Sequence, residues 1–140
     1  MSAEQNKALV RRVFEEGINK HNLNVFDELL ASKYVNHNMP TPAPGPEGLK
    51  QVVSMFLTAF PDFRVTLEDV IAEGDKVASR GVWRGTHQGN FMGIPATGKS
   101  IAVSYSDIWR IENGRAVENW VQMDMLGLMQ QLGVAPAPGQ

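Results

Sequence analysis

The first sixty residues carry apolar side chains at the spacing of amphipathic helices. Over residues 3–20, apolar positions recur every three or four residues and charged side chains occupy the opposite face, which predicts a helix. Its apolar stripe consists of Leu9, Val10, Val13, Phe14 and Ile18. The polar segment HNLN interrupts this helix and precedes a second, short one, VFDELLA. A third helix, PEGLKQVVSMFLTAF, is expected to begin at Pro46, where proline suits the first turn, and to end before Pro61.

Beyond Pro61 the apolar period shortens to two, which is typical of β-strands. Four segments show this period: FRVTLEDVIAEG, KVASRGVWRGTH, IAVSYSDIWRI and RAVENWVQMD. The sequences EGDK and ENGR suit sharp turns within the first and last pairs of strands. The segment MLGLMQQLG predicts a short closing helix that stops at Gly133. Helices followed by antiparallel strands indicate an α+β fold, in which a curved antiparallel sheet wraps over three N-terminal helices and a short C-terminal helix closes the chain.

The length, composition and net charge of the chain exclude several classes of protein. A chain of 140 residues with 43% hydrophobic side chains is long enough for one domain with a buried core, predicted over residues 1–134, and APAPGQ at 135–140 predicts a flexible tail. The net charge of −2 and the lack of a basic run argue against a nucleic-acid partner. The absence of cysteine excludes disulfides and thiolate chemistry. No apolar run is long enough to span a membrane, and MSAEQNK lacks the apolar core of a signal peptide, so a soluble, cytoplasmic protein is expected.

The segment GIPATGKS, Gly93 to Ser100, matches the phosphate-loop pattern at every fixed position. A phosphate loop must open a helix, whose first N–H groups hold the phosphates. The residues after Ser100 alternate with the period of a strand instead. We therefore expect a connection between two strands here, and no nucleotide binding.

The last predicted hairpin carries the residues whose composition is most typical of a ligand pocket. A two-residue turn at Asn113-Gly114 pairs Glu112 with Arg115. If this register continues along both strands, aromatic and polar side chains fall together on one face of the hairpin. Large aromatic groups beside carboxylates and an amide are the composition of a ligand pocket. A one-residue bulge would break this argument by turning one strand over. The predicted face carries Val103, Tyr105, Asp107, Trp109, Glu118, Trp120, Gln122 and Asp124.

Two carboxylates belong to this predicted face. Asp107 and Asp124 are offset by about 13 Å along the strands, which is too far apart for the paired carboxylates of a glycosidase. Asp124, between two methionines, is the candidate acid–base group, because an apolar site raises the pKa of a carboxyl and makes its carboxylate a stronger base. Its alternative role is the N-cap of the closing helix. Asp107 is a second polar wall group or an edge residue.

The three histidines give weaker indications of a functional role. His37 and His87 lie in loops next to strand ends, where each is either a donor into the pocket or an ordinary loop residue. None of the three histidines has a partner at metal-ligand spacing, so no metal site is expected. Phe56 belongs to the stripe of the third helix and is core, or pocket wall where the fold is open.

Several motifs in order resemble one family. They are GPEGLKQ, FPDFRV, GTHQGNFMGIPATGKS, DIWRIENGRAVENW and MDMLGLMQQLG, and together they cover nearly the whole chain. The sequence is similar to the SnoaL-like polyketide cyclases of the nuclear-transport-factor-two-like superfamily. The resemblance implies a cone-shaped α+β barrel, a homodimer or homotetramer, a deep apolar pocket, and ring closure by aldol condensation without cofactor or metal. It also implies, by motif position, that Asp124 is the catalytic aspartate. Asn119 stands where many relatives have histidine, and the predicted hairpin register turns it away from the pocket.

Together these observations predict a cofactor-free cyclase. Asp124 would remove a proton from carbon, with Gln122, Tyr105 and His87 as candidate donors to the enolate oxygen. The substrate would be an aromatic or polycyclic ester or ketone. Its predicted contacts are Gln122, Trp120, Tyr105, His87, His37, Phe91, Trp83 and Phe56. The alternatives are a non-catalytic binder of small hydrophobic molecules, and an isomerase or epoxide hydrolase of the same fold; the hydrolase would need an Asp–Arg–Asp cluster, whereas Arg110 is predicted on the other face.

Overall fold

A computed structural model describes residues 2–136 of the chain, and residues 137–140 of the predicted tail lie outside this range. The order of elements confirms the predicted α+β class, with the four predicted helices and one strand more than the four predicted. The elements are α1 (Ala3–Arg12), which continues as a π-helix (Val13–Asn19), α2 (Val25–Leu29), β1 (Leu30–Asn36), α3 (Gly45–Ala59), β2 (Arg64–Glu73), β3 (Lys76–Thr86), β4 (Ser100–Glu112), β5 (Arg115–Met123) and α4 (Met125–Leu132).

The helical layer covers one face of the sheet. Helix α1 begins with a capping box, in which the Ser2 hydroxyl accepts from the Gln5 N–H and the Gln5 side chain accepts from the Ser2 N–H. At the end of the π-helix, Asn19 donates to the Val65 carbonyl at 2.8 Å and accepts from the Val65 N–H at 2.7 Å. These bonds connect the first helix to β2, and the apolar side chains of both layers form a single core between them.

The sheet has five strands in the order β1-β5-β4-β3-β2. Strand β1, LASKYVN, is absent from the sequence-based prediction, and it pairs with β5 in parallel, from Leu30 opposite Ala116 to Asn36 opposite Asn119. The predicted all-antiparallel sheet is therefore wrong at this edge. The reason is visible in the burial of β1, where only Leu30 and Tyr34 are buried and no period of two appears.

Strands β3 and β4 form a regular antiparallel pair from Lys76 opposite Arg110 to Thr86 opposite Ser100. Buried and exposed residues alternate along β4, as predicted, so Tyr105, Asp107 and Trp109 all face the helices. Strand β4 begins at Ser100, which confirms the strand predicted after GIPATGKS. The segment between β3 and β4 is a connecting loop, and a phosphate loop would require a helix at this point.

The hairpin of β4 and β5 begins as predicted, with Glu112 opposite Arg115 across Asn113-Gly114. One residue later the register shifts, and Arg110 pairs with Glu118, so Val117 is a one-residue bulge. The predicted face is therefore wrong along β5. The bulge turns Asn119, Val121 and Met123 toward the helices, and it turns Glu118, Trp120 and Gln122 to the outer face.

The chain closes with α4 against β4. Leu128 and Leu132 are buried, and Gly133 ends the helix in the left-handed conformation with φ of 81°, which confirms the predicted stop. Within residues 2–136, no helix is long and apolar enough to cross a membrane.

Candidate active site

An interior cavity lies between the concave face of the sheet and the helices. Its walls are mostly aromatic and aliphatic, and its polar lining comes from Asn36, Asp107 and Asn119. Of the predicted contacts, Phe56, Trp83 and Tyr105 line this cavity. The π-helix contributes Phe14, whose ring lies 5.6 Å from that of Tyr105 and 6.1 Å from that of Trp109.

Asp107 is the carboxylate of this cavity. Only 5% of its surface is exposed, and it accepts a hydrogen bond from the hydroxyl of Ser79, its partner on β3. Burial raises the pKa of Asp107 from 3.8 to about 7, against the opposing effect of Ser79 and the smaller effects of the nearby Trp109 and Asn119 side chains. Near neutral pH the group therefore exists in both protonation states, which suits an acid–base catalyst.

Three hydrogen-bond donors near Asp107 are buried without a partner among residues 2–136: the Tyr34 hydroxyl, the Tyr105 hydroxyl and the Trp109 indole N–H. Tyr34 stacks on Trp109 with ring centres 6.2 Å apart. Burial raises the pKa of both tyrosine hydroxyls, so they remain protonated donors at neutral pH. Buried donors are normally satisfied, and of these three residues only Tyr105 and Trp109 line the interior cavity, so their donors are candidates for contact with a bound molecule.

Asn119 is held in place by its own hydrogen bonds. Its amide group donates to the Ile108 carbonyl at 3.1 Å, and its oxygen accepts from Asn36 at 3.4 Å. Only 2% of its surface is exposed. The sequence-based register placed residue 119 away from the pocket, and the bulge at Val117 is why it lies inside.

Asp124 lies outside the interior cavity. Its carboxylate accepts from the Gly127 N–H at 2.8 Å and caps α4, which is the alternative role that the sequence left open. The carboxylate would overlap with any β-carbon at position 127, so glycine suits that position. Asp124 borders a shallow outer depression with Glu68 and Arg80. Tyr105 borders both this depression and the interior cavity, whereas Asp124 borders only the depression, so the predicted grouping of Asp124 with Trp109 and Asp107 in one pocket is not what the structure shows.

Two further predicted contacts, His37 and Trp120, lie together on the outer side of the sheet. Their rings stack with centres 4.9 Å apart, and the His37 Nε2 atom is 3.3 Å from Glu118. Gln122 also points outward, although it reaches the rim of the opening described next. The bulge separates these side chains from Asp107.

His87 is fully buried but serves the loop between β3 and β4. Its Nδ1 atom accepts from the Thr97 N–H at 3.2 Å, and its backbone N–H donates to the Lys99 carbonyl at 2.8 Å. Its ring packs 5.4 Å from that of Phe60. The geometry matches the role of an ordinary loop residue, and His87 does not line the cavity.

A wider opening, here called the vestibule, lies next to the interior cavity. The two share the walls formed by Met39, Val52, Phe56, Val121 and Met123. Phe91, a predicted contact, lines the vestibule. Across residues 2–136, no three acidic or histidine side chains come together as a set of metal ligands.

Sequence reasoning placed Asp107 and Trp109 on the pocket face, with Asp107 as a second polar wall group or an edge residue, but it missed Asn36, Ser79 and Asn119. The alternation along β4 placed Asp107 on the same side of the strand as Tyr105 and Trp109, which is the buried side. Asn36 and Ser79 gave no comparable signal, because their positions follow from strand pairing.

The chain matches the family model described as SnoaL-like polyketide cyclase over residues 8–132. It is 30% identical over 130 residues to the aklanonic acid methyl ester cyclase DnrD of Streptomyces peucetius, covering 89% of this chain and 88% of DnrD. It is also 30% identical over 130 residues to the aklanonic acid methyl ester cyclase DauD of Streptomyces sp. (strain C5), covering 89% of this chain and 80% of DauD. The solved structure of TsrD from Streptomyces laurentii superimposes with a TM-score of 0.88 at 30% identity, covering 96% of this chain and 98% of TsrD.

Proposed function

Because the chain belongs to the SnoaL-like polyketide cyclases, we propose that it closes a ring in an aromatic polyketide ester by intramolecular aldol condensation, with Asp107 as the acid–base group. The observation that carries this proposal is a buried carboxylate in the interior cavity with a pKa of about 7. A carboxylate that only capped or braced the fold would gain nothing from being buried in an apolar cavity.

The proposed reaction begins with proton transfer to Asp107. Its carboxylate removes a proton from a carbon next to a carbonyl group, and the C–H electron pair forms an enolate. The enolate carbon attacks a second carbonyl of the same molecule, forming the C–C bond that closes the ring. The resulting alkoxide takes the proton back from the Asp107 carboxyl, so the group ends as it began and no outside reactant is consumed.

The unpaired donors support the charged intermediate. Tyr105 and Trp109 line the cavity beside Asp107, and we assign their hydroxyl and indole N–H as donors to the enolate oxygen. Such donors, already positioned in a water-poor site, are each worth about 10²–10³ in rate. The Ser79 hydroxyl orients the carboxylate, and it acts through Asp107 as a positioning residue.

Asp107 is preferred to Asp124 for two physical reasons. Asp124 is exposed and already accepts the hydrogen bond of a helix cap, whereas Asp107 is buried among unpaired donors. Epoxide hydrolysis through an Asp–Arg–Asp cluster receives no support, because Arg110 lies on the outer side of the sheet and pairs with Glu118 and Glu112.

The experiment compares Asp107→Asn with Asp124→Asn on aklanonic acid methyl ester, the compound named for the relatives DauD and DnrD. Cyclised product is measured by chromatography under single-turnover conditions. We expect Asp107→Asn to lower the rate by about 10²–10⁴, the usual worth of a positioned general base. Asn caps a helix about as well as Asp, so Asp124→Asn should keep the rate within about twofold.

The pH profile provides a second test of the same proposal. The wild-type single-turnover rate should rise about tenfold per pH unit below the Asp107 pKa of about 7 and level off above it, because the carboxylate form is the base. A loss of rate in Asp124→Asn with full rate in Asp107→Asn would contradict the assignment.

A further inference from the structure

One asparagine of the chain differs from all the others in the residue that follows it. The sequence holds nine asparagines, and only Asn113 is followed by glycine. Within residues 2–136, five of the nine use their side-chain amides in hydrogen bonds, and these are Asn6, Asn19, Asn36, Asn90 and Asn119. Asn113 belongs to the exposed remainder, with Asn22, Asn24 and Asn38. The cyclase reaction proposed above makes no use of Asn113.

Asn113 and Gly114 form the two-residue turn between β4 and β5. Their φ angles are 52° and 76°, in the left-handed region that this type of turn requires. Both residues border a small open depression, together with Asn6, Gly74 and Asp75. Water therefore reaches the side-chain amide of Asn113 and the backbone beside it.

This turn places a side-chain amide carbon next to an unshielded backbone nitrogen. Glycine has no β-carbon, so nothing on Gly114 hinders contact between its nitrogen and the Asn113 side chain. When that nitrogen loses its proton and attacks the Asn113 Cγ atom, a new C–N bond forms, the bond from Cγ to the side-chain nitrogen breaks, and ammonia leaves. The product is a five-membered succinimide. Water opens this ring at either carbonyl, which gives aspartate or isoaspartate at position 113.

The other three exposed asparagines lack this feature. They precede Leu23, Val25 and Met39, whose side chains crowd the backbone nitrogen that would have to attack. At Asn113 the opposing effect is the tight turn itself, because ring closure requires rotation of the Asn113 backbone away from its φ of 52°. The reaction therefore proceeds during brief openings of the hairpin end.

We propose that Asn113 is a site of spontaneous deamidation, and that the isoaspartyl product loosens the end of the β4–β5 hairpin. Isoaspartate adds one methylene group to the main chain, whereas the two-residue turn fits a main chain of normal length. The residues beside the turn are tightly held, since Ile111 and Ala116 are buried and the Ile111 N–H donates to the Asp75 carbonyl at 2.8 Å. Aspartate with a normal main chain suits the same turn, so the added methylene group, and not the added charge, disturbs the hairpin.

The test follows purified protein incubated at 37 °C and pH 8 for several weeks. The tryptic peptide IENGR, residues 111–115, reports the conversion by its mass, and its retention time separates aspartate from isoaspartate. We expect Asn113 to convert at least about tenfold faster than Asn22, Asn24 or Asn38, because only its neighbour lacks a side chain. Conversion should be slower at pH 6, because the attacking nitrogen must first lose its proton. The free peptide IENGR, which has no turn to open, should convert faster than the protein.

Two variants separate the effects of the products on stability. Asn113→Gly suits the turn and cannot deamidate, so its midpoint of urea unfolding should not change during incubation. Asn113→Asp carries the charge on a normal main chain, and its midpoint should match that of fresh wild type. Aged wild type should contain a fraction that unfolds at lower urea concentration, in proportion to its isoaspartate. An isoaspartyl methyltransferase with S-adenosylmethionine methylates isoaspartate, which then loses methanol on ring closure and reopens in part to aspartate, so this treatment should reduce the fraction.

Three results would overturn the inference. The first is an unconverted position 113 in the protein after an incubation that fully converts the free peptide. The second is conversion at Asn113 no faster than at Asn22, Asn24 or Asn38. The third is unchanged unfolding of aged wild type although isoaspartate is present at position 113. These measurements use no substrate, so their outcome is independent of the effect of Asp107→Asn on turnover.

Discussion

At the scale of single residues, the proposed chemistry depends on the position of one carboxyl group. Asp107 is surrounded by Ser79, Tyr105, Trp109 and Asn119, and burial raises its pKa to about 7. Such a shift must reduce the stability of the folded protein when the group is ionised, since the unfolded chain ionises more easily. The proposed function and the stability of the fold therefore oppose each other at this residue.

The shift predicts how stability depends on pH. Below about pH 4 the Asp107 carboxyl is protonated in both states, so the full stability is present; between about 4 and 7 only the unfolded chain ionises, and stability falls. Asp107→Asn removes this fall. Urea unfolding should show the variant more stable than wild type at pH 8 by up to about 4 kcal/mol and similar to it at pH 4.

A variant that is less stable than wild type at both pH values would contradict this account, because it would mean that the carboxylate strengthens the fold. Asp124→Asn is the control for this measurement, since the exposed cap tolerates either side chain.

At the scale of elements, backbone contacts between strands leave room for the aromatic side chains of the cavity. Gly81 of β3 lies opposite Tyr105 of β4 and Leu67 of β2. A β-carbon at position 81 would overlap with the Thr66 carbonyl and approach the Tyr105 ring at 3.1 Å. Glycine therefore permits β2 to lie close to β3 while the Tyr105 ring keeps its place in the cavity.

We expect Gly81→Ala to destabilise the fold by about 1–3 kcal/mol, because the overlap is with backbone and β2 would have to move. The measurement is the change in the free energy of unfolding from urea titration. Ala78→Val, on the exposed side of the same strand, is the matched control and should change it by less than about 0.5 kcal/mol. Equal effects of the two changes would show that the close approach at Gly81 has no energetic weight.

At the scale of the whole molecule, the helices and the sheet enclose the cavity only while the two layers remain joined. Asn19, at the end of the π-helix, makes hydrogen bonds to both backbone groups of Val65 on the edge strand β2. Val65 itself lines the cavity beside Ile18. This side chain therefore connects the helical layer to the wall of the site.

Asn19→Ala should lower the free energy of unfolding by about 1–3 kcal/mol, because two backbone groups lose their partner in a partly buried place. It should also increase hydrogen exchange of the Val65 amide, which mass spectrometry or NMR can follow. Asn24→Ala is the control, since Asn24 is exposed and its side chain makes no capping bond. An unchanged Val65 amide would contradict the proposed connection.

The sequence by itself determined the features that depend on local pattern. The strict alternation along β4 placed Tyr105, Asp107 and Trp109 on one buried face, because side chains of a strand alternate between its two sides. Asn113-Gly114 determined the turn, because few other residue pairs accept its backbone angles. Gly133 ended the last helix, because glycine accepts the left-handed backbone conformation found there. The strand pattern after Ser100 argued against a phosphate loop, which would need a helix at that point.

Only the tertiary structure decided which side chains meet in the cavity. The bulge at Val117 brought Asn119 inside and turned Trp120 out, and nothing local marks that residue as unpaired. The parallel pairing of β1 likewise depends on β5, which lies about eighty residues away in the chain, so its residues show no period of their own. The sequence favoured Asp124 over Asp107 as the base, because Asp124 lies between two methionines and matches the family's motif position. Burial separated them, because desolvation acts on a carboxyl group through everything packed around it, and that surrounding comes from many distant segments.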